Sequence, residues 1–455
     1  MGPIISRQHL ALTLAIVLAL CLLSLSGDAD RAQASLTGNI EPNQIIVKLD
    51  DGVEIGQINS KYGTRVKERF LGNVNTRIYL LKANRELTVS NLLNLVERLG
   101  NDPRLLLAEP NFLAAAPEDP QAARRHRAFP EDSARPTRDN YSDPEFAYPD
   151  SALNLSSVPE EYGGEGTTVA VLDTGAQLGH PALEWNFAGV ARRDFVDDDP
   201  NPSEPPLAKN EQLRDSEVVG HGTHVAGIVD LVAPKAKIMP LRVLDRKGRG
   251  NVFDIAQAIS FASANGADVI NLSLGTPAPT LLGLGLTGPP RLLQEEVEAA
   301  IDGGAVVVAA AGNSGNEVQN YPAAQQERLI TSDGILAVTS VNREEKKSSF
   351  ANYGTWVDVS APGENILSTY PVSTYAYWSG TSMATPFVAG QAALIYEADG
   401  APDPADVEET IRRSARFLDF YQRNLTYLCK LGAGHTDIGA SLGEIGPEPN
   451  LCLTP

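Results

Sequence analysis

Hydrophobic positions change their period along this chain. Over residues 44–50 they alternate, with Ile45, Val47 and Leu49 on one face, as in a half-buried strand. A short helical stretch follows over residues 54–62, and residues 65–71 and 76–83 read as strands. Ser90 is the expected N-cap of a helix whose apolar face carries Leu92, Leu95, Val96 and Leu99. Residues 105–115 close the unit with another strand. The order β-α-β-β-α-β over residues 38–116 describes a small α+β unit of ferredoxin-like type.

The period then disappears. Residues 117–144 are rich in Pro, Arg, Asp and Glu and read as an exposed linker. Arg124, Arg125 and Arg127 make it locally basic and open to proteolysis. Over residues 145–443 short apolar strands alternate with helical patterns. The strands are expected at 168–172, 238–244, 269–274, 306–311 and 335–341, with helices at 254–264 and 292–301 among those between them. Such alternation predicts a three-layer α/β domain, its parallel sheet covered on both faces. Ligands of such sheets bind at the carboxyl ends of the strands. Asp173 stands at one such end and Asn313 just past another.

The N-terminus is expected to lie outside the fold. Arg7 and His9 precede an apolar run over residues 10–25, and Ala32-Gln33-Ala34 offers a small-residue cleavage site. That is a secretory signal pattern over residues 1–34; an uncleaved membrane anchor is the alternative. The mature chain then keeps two cysteines, Cys429 and Cys452. An even pair in an exported chain is consistent with a disulfide tying down the tail, residues 444–455; two free thiols are the alternative. The 455 residues accommodate one large and one smaller domain, and the formal net charge of −20 argues against a nucleic-acid partner.

Three segments carry the chemistry. Val169-Ala170-Val171-Leu172-Asp173-Thr174-Gly175 ends a buried strand on a carboxylate. Gly220-His221-Gly222-Thr223-His224 surrounds a histidine with small residues that let another backbone approach. Gly380-Thr381-Ser382-Met383-Ala384-Thr385-Pro386 places a serine at a helix N-terminus, where an oxyanion is favoured. A serine hydroxyl needs a base, imidazole serves near neutral pH, and a buried carboxylate holds the imidazole tautomer. Ser382 is therefore the candidate nucleophile, His221 the general base and acid, and Asp173 its orienter. Asn313, in Ala311-Gly312-Asn313-Ser314-Gly315, is the candidate oxyanion donor beside the Ser382 N–H.

These motifs, in the order Asp, His, Ser, resemble the subtilases, the subtilisin-like serine peptidases. The resemblance spans about residues 145–443. It implies a peptide-bond hydrolase acting through an acyl-enzyme, working as a monomer on polypeptide substrates. It further implies that residues 38–116 are a propeptide that assists folding and plugs the cleft, and that the chain cleaves itself in the linker. Gly248-Arg249-Gly250 resembles the edge that pairs with bound substrate, with Gly248 and Gly250 as contacts. Ser273-Leu274-Gly275 resembles the opposite wall, and Asn320 the floor of the main side-chain pocket. Leu431-Gly432-Ala433-Gly434 onward resembles the element that closes the domain.

The chain departs from the family in places. His180-Pro181-Ala182-Leu183 lacks the aspartate of one calcium site. Residues 194–201 resemble another calcium loop, with Asp194, Asp197, Asp199 and Asn201 as candidate ligands; a solvated acidic turn is the bland alternative. His224 is read as packing rather than metal binding, for want of the HExxH glutamate. Gly283-Leu284-Gly285-Leu286-Thr287-Gly288 matches a dinucleotide fingerprint literally, but Pro289 and Pro290 follow in place of a helix, so it is read as a loop. Two further function classes fit the same triad: acyl transfer to an amine, and a binding protein whose cleft stays plugged.

Overall fold

The computed structural model of the chain describes residues 39–71, 77–118, 152–204, 218–277, 289–325, 333–372, 374–418 and 424–443. In the N-terminal unit the elements follow as β1 (Ile40–Leu49), α1 (Ile55–Tyr62), β2 (Thr64–Arg69), β3 (Ile78–Ala83), α2 (Val89–Gly100) and β4 (Leu105–Ala115). The strands form an antiparallel sheet in the order β2-β3-β1-β4. The expected apolar face of α2 is buried. Its N-cap is Thr88 rather than Ser90: the Thr88 side chain accepts the Asn91 N–H, its backbone is extended, and Ser90 already lies within the first turn.

Alternation suggested one buried face for β1. Both are buried, because Ile46 is as enclosed as Ile45 and Val47. Ile46 pairs directly with Leu80 on β3 and Glu109 on β4, so their side chains share a face. That face meets the second unit.

The second unit is built on a fully parallel seven-stranded sheet in the order β14-β13-β11-β9-β5-β7-β6. In chain order it comprises β5 (Thr168–Asp173), β6 (Arg193–Asp194), α3 (His221–Val232), β7 (Lys237–Arg242), β8 (Arg249–Asn251), α4 (Val252–Ala264), β9 (Val269–Leu272) and β10 (Thr276–Pro277). It continues with α5 (Arg291–Asp302), β11 (Val306–Ala310), β12 (Asn320–Tyr321), β13 (Ile335–Val341), β14 (Val359–Pro362), β15 (Ile366–Tyr370), β16 (Thr374–Trp378), α6 (Thr381–Asp399) and α7 (Pro404–Ser414). Successive side chains of β5 feed opposite layers. Val169 and Val171 pack with α3, α6 and α7, whereas Ala170 and Leu172 pack with α4 and α5. This is the three-layer arrangement expected from unbroken apolar strands.

The two units share a core through α4 and α5. Phe70 meets Phe253 edge-on at 5.6 Å. The Glu109 carboxylate accepts the Arg291 and Leu292 N–H groups at 2.8 and 3.0 Å, capping α5, whose own N-cap is Pro290. Asn111 accepts the Phe253 N–H at the start of α4, and Glu68 accepts from Gln257. Anionic and carbonyl oxygens thus face the positive ends of both helices.

Among the described residues no helix is long and apolar enough to cross a membrane. The expected signal, most of the linker, the literal fingerprint at Gly283–Gly288 and the C-terminal tail lie outside them. Cys429 is disulfide-bonded; Cys452, its expected partner, also lies outside.

Burial raises Glu109 from 4.5 to about 7 despite its two N–H donors. Burial, then the nearby Glu68 charge, raises Asp254 from 3.8 to about 7. With the units apart these groups face water and regain ordinary values, so docking takes up protons. The contribution is full below the undocked values and is lost as pH rises through about 7. With Ser382 replaced by alanine to keep the chain whole, amide exchange protection of β4, corrected for intrinsic rates, should fall between pH 5 and 8. Protection that stays flat across that interval would contradict the assignment.

Candidate active site

Asp173 ends β5, an interior strand between β9 and β7, and is fully buried. Its Oδ1 accepts the Thr174 N–H at 2.7 Å and faces His221 Nδ1 at 2.7 Å. His221 opens α3. That helix seats on the turn after Asp173 because position 222 is glycine: a Cβ there would lie 2.0 Å from the Gly175 carbonyl oxygen. Small residues around His221 therefore do what their sequence suggested, letting a second backbone approach.

Ser382 lies in the first turn of α6, where helical N–H groups have no partner within the helix. Asn313, past the end of β11, is oriented by Thr381: its Oδ1 accepts the Thr381 N–H and hydroxyl, each at 2.9 Å. The amide Nδ2 is thereby turned towards the space beside His221. The sheet and the N-termini of α3 and α6 bring Asp173, His221, Asn313 and Ser382 together. The Ser382 hydroxyl, however, donates to the Ser273 carbonyl at 3.1 Å rather than to His221.

The end of β4 fills the cleft as an added strand. Leu113, Ala114 and Ala115 pair antiparallel with Asn251, Gly250 and Arg249. Ala116 donates to the Gly248 carbonyl at 2.8 Å. On the opposite side Ala115 and Gly275 exchange both backbone bonds, at 2.9 and 3.0 Å. Ser273 and Leu274 are buried behind this wall. Asn320 sits directly under Gly275, its amide held by the Ala310 carbonyl; a Cβ on Gly275 would come within 2.0 Å of that amide. Asn320 thus supports the wall from behind.

Two carboxylates at the site carried no signal in the sequence. Glu118, in the stretch read as linker, places Oε2 at 2.8 Å from His221 Nε2, and Asn313 Nδ2 donates to its Oε1 at 3.3 Å. Burial pulls the His221 pKa down, but the Asp173 and Glu118 charges outweigh it and hold the imidazole well above its ordinary value. Glu204, in a polar loop, is buried behind the Asp173–His221 pair. It accepts from the Thr174 and Thr223 hydroxyls and from the Gly220 N–H, tying the turn after Asp173 to the turn before His221. Burial raises it to about 7 against those donors.

The acidic loop is organised around an arginine. Asp194 accepts the Val196 and Asp197 N–H groups and, at 2.6 Å, Arg242 Nη1, which also bonds Asp197. Asp199 accepts the Asn201 N–H, and Asn201 accepts from Ser203. Among the described residues no group of three or more His, Cys, Asp or Glu side chains is placed to hold a metal ion. This arrangement does not fit a cation between Asp194 and Asp197, because the guanidinium already supplies the positive charge. His224 Nε2 meets the Ile366 and Ala376 carbonyls, and its ring stacks on Trp378 at 5.5 Å. His180 Nδ1 accepts the Ala182 N–H within its turn.

Glu204→Gln replaces an acceptor of three donors with a group that can match only part of them. Turnover should fall on the order of tenfold or more with little change in KM, because His221 is displaced while the cleft is not; equal kcat in variant and parent would exclude a positioning role. Arg242→Met leaves Asp194 buried without its counter-charge and should cost about 3 kcal/mol. In the parent a chelator should leave the exchange protection of residues 194–201 unchanged, and a clear drop would restore the case for a cation in this loop.

Comparison with known proteins agrees with this geometry. Residues 164–437 match the model of the subtilase family, and residues 27–111 match the fervidolysin N-terminal prodomain. The chain is 36% identical over 339 residues to a thermophilic serine proteinase of Bacillus sp. (strain AK1), covering 72% of each protein. It is 44% identical over 242 residues to thermitase of Thermoactinomyces vulgaris, covering 51% of this chain and 75% of that one. The crystal structure of fervidolysin from Fervidobacterium pennivorans, described as a keratinolytic enzyme related to subtilisin, superposes with a TM-score of 0.66 at 23% identity. That match covers 90% of this chain and 62% of that one, and shows the shared fold. The chain accordingly belongs to the subtilase family of serine proteases and carries a prodomain ahead of its protease unit.

Proposed function

We propose that this protein is a secreted serine endopeptidase, made as a zymogen that processes itself, with Asp173, His221 and Ser382 as its triad. The observation that carries the reading is the buried Asp173–His221 bond at 2.7 Å, with Asn313 and the first turn of α6 gathered at the end of an inserted strand. His221 Nε2 takes the proton of the Ser382 hydroxyl as its oxygen attacks the scissile carbonyl. The resulting oxyanion is held by Asn313 Nδ2 and the Ser382 N–H. The same imidazole returns the proton to the leaving amine, and water then resolves the acyl-enzyme. Asp173 keeps Nδ1 protonated and stabilises the imidazolium.

A polypeptide substrate takes the place of β4, adding a strand between Gly248–Gly250 and Ser273–Gly275. Residues 38–116 act as the chain's own inhibitor, and the maturation cut falls in the linker of residues 117–144. The apolar run at residues 10–25 directs export and is removed by residue 34. The enzyme works as a monomer, and no step requires a metal.

The test compares the parent with Ser382→Ala and Asn313→Ala, following chain length by gel and casein hydrolysis. The parent should lose its N-terminal unit and hydrolyse casein, and Ser382→Ala should do neither. Asn313→Ala should lose about 10²–10³ in kcat, since one oxyanion donor is removed. Unaltered processing of pure Ser382→Ala would rule out self-cleavage. Products joined to an added amine would point instead to acyl transfer.

A further inference from the structure

The strand that fills the cleft stops behaving as a substrate at its last two residues. Ala115 is opposite Gly275, so an uninterrupted antiparallel pairing would set residue 117 opposite Ser273, its N–H directed at the Ser273 carbonyl. Residue 117 is proline and has no N–H to give. The Ser273 carbonyl instead accepts the Ser382 hydroxyl, which draws the nucleophile away from the base. The chain bends at Pro117 and returns the Glu118 side chain into the site.

Glu118 takes both positions that a scissile group needs. One carboxylate oxygen faces His221 Nε2 at 2.8 Å, and the other accepts from Asn313 Nδ2 at 3.3 Å. The side chain is only 4% exposed and packs on the Gly380 backbone. A carboxylate between the imidazole and the oxyanion amide resembles the acid product of hydrolysis. Here it is a side chain, and its carbon carries no leaving group that attack by Ser382 could expel. Its negative charge favours the protonated imidazole, which cannot act as a base.

We propose that Pro117–Glu118 is the inhibitory element of the precursor. Ala114–Ala116 binds as a substrate strand, Pro117 withholds the bond that would seat the next carbonyl, and the Glu118 carboxylate occupies the acyl site and holds the base. The recognised chemistry is a side-chain carboxylate two residues beyond the strand, placed by a proline. A cut beyond residue 118 leaves this plug in position, so cleavage and the onset of activity are separate events. This inference rests on the active-site reading above.

The experiment uses the full chain and a fluorophosphonate that labels the nucleophilic serine. The parent, Glu118→Gln, Glu118→Ala and Pro117→Ala are refolded and labelled at pH 7, with cut positions followed by mass spectrometry. Both Glu118 variants should label at least tenfold faster than the parent before the N-terminal unit is lost. Pro117→Ala should gain a cut directly after residue 117, because the strand can now continue into the site. Labelling at the parental rate in all three variants, with no new cut, would overturn the proposal. Protein that never labels, even after residues 39–118 are fully removed, would overturn the active-site reading itself and this inference with it. Circular dichroism of each variant separates a folding failure from either outcome.

Discussion

A carboxylate held out of water at the end of β5 sets the terms for everything around it. Asp173 has no solvent access, and an ionised group so placed needs matching donors or loses its charge. His221 Nδ1 and the Thr174 N–H provide them, which requires the N-terminus of α3 to lie against the end of the strand. That approach in turn demands glycine at position 222 and draws Glu204 in behind, where it gathers the donors of both turns. The parallel sheet makes this possible by delivering strand ends and helix starts to one edge of the molecule.

The N-terminal unit uses a related logic from outside. It presents oxygens to the positive ends of α4 and α5 through Glu109 and Asn111, and it offers the cleft a strand with the backbone pattern of a substrate. Helix capping aligns the unit, while strand pairing carries its last residues to the Asp173–His221 pair. Neither contact is large, but both are directional, so the register of β4 against β8 fixes which residue arrives beside His221.

Much of the frame was legible because it is local. Strand 335–341 matched residue for residue, and the remaining core strands shifted by a residue or two at their ends. Asp173, His221, Ser382 and Asn313 stood out because small residues, strand ends and a helix start surround them in the sequence. What escaped depends on distant contacts. Ile46 looked solvent-facing because alternation reports how one unit folds, not what docks on it. Ser90 and Thr88 are both credible caps, and backbone entry alone chose between them. Glu118 and Glu204 sit in polar stretches with no period, and nothing local marks a carboxylate that will meet a histidine on another element. The acidic loop suggested a cation by composition, but the residue that answers it, Arg242, comes from β7.

The double burial of β1 bears on the direction of activation. Ile46, Leu80 and Phe70 lie in the core shared with the second unit, Phe70 directly against Phe253. A detached N-terminal unit would turn this apolar face to water and lose a large part of the surface that keeps so small a sheet folded. Opening of its strands would then offer extended chain to any peptidase nearby, including the molecule just released. A unit that separated would thus forfeit the shape it needs to return, and its departure would run in one direction without any further device.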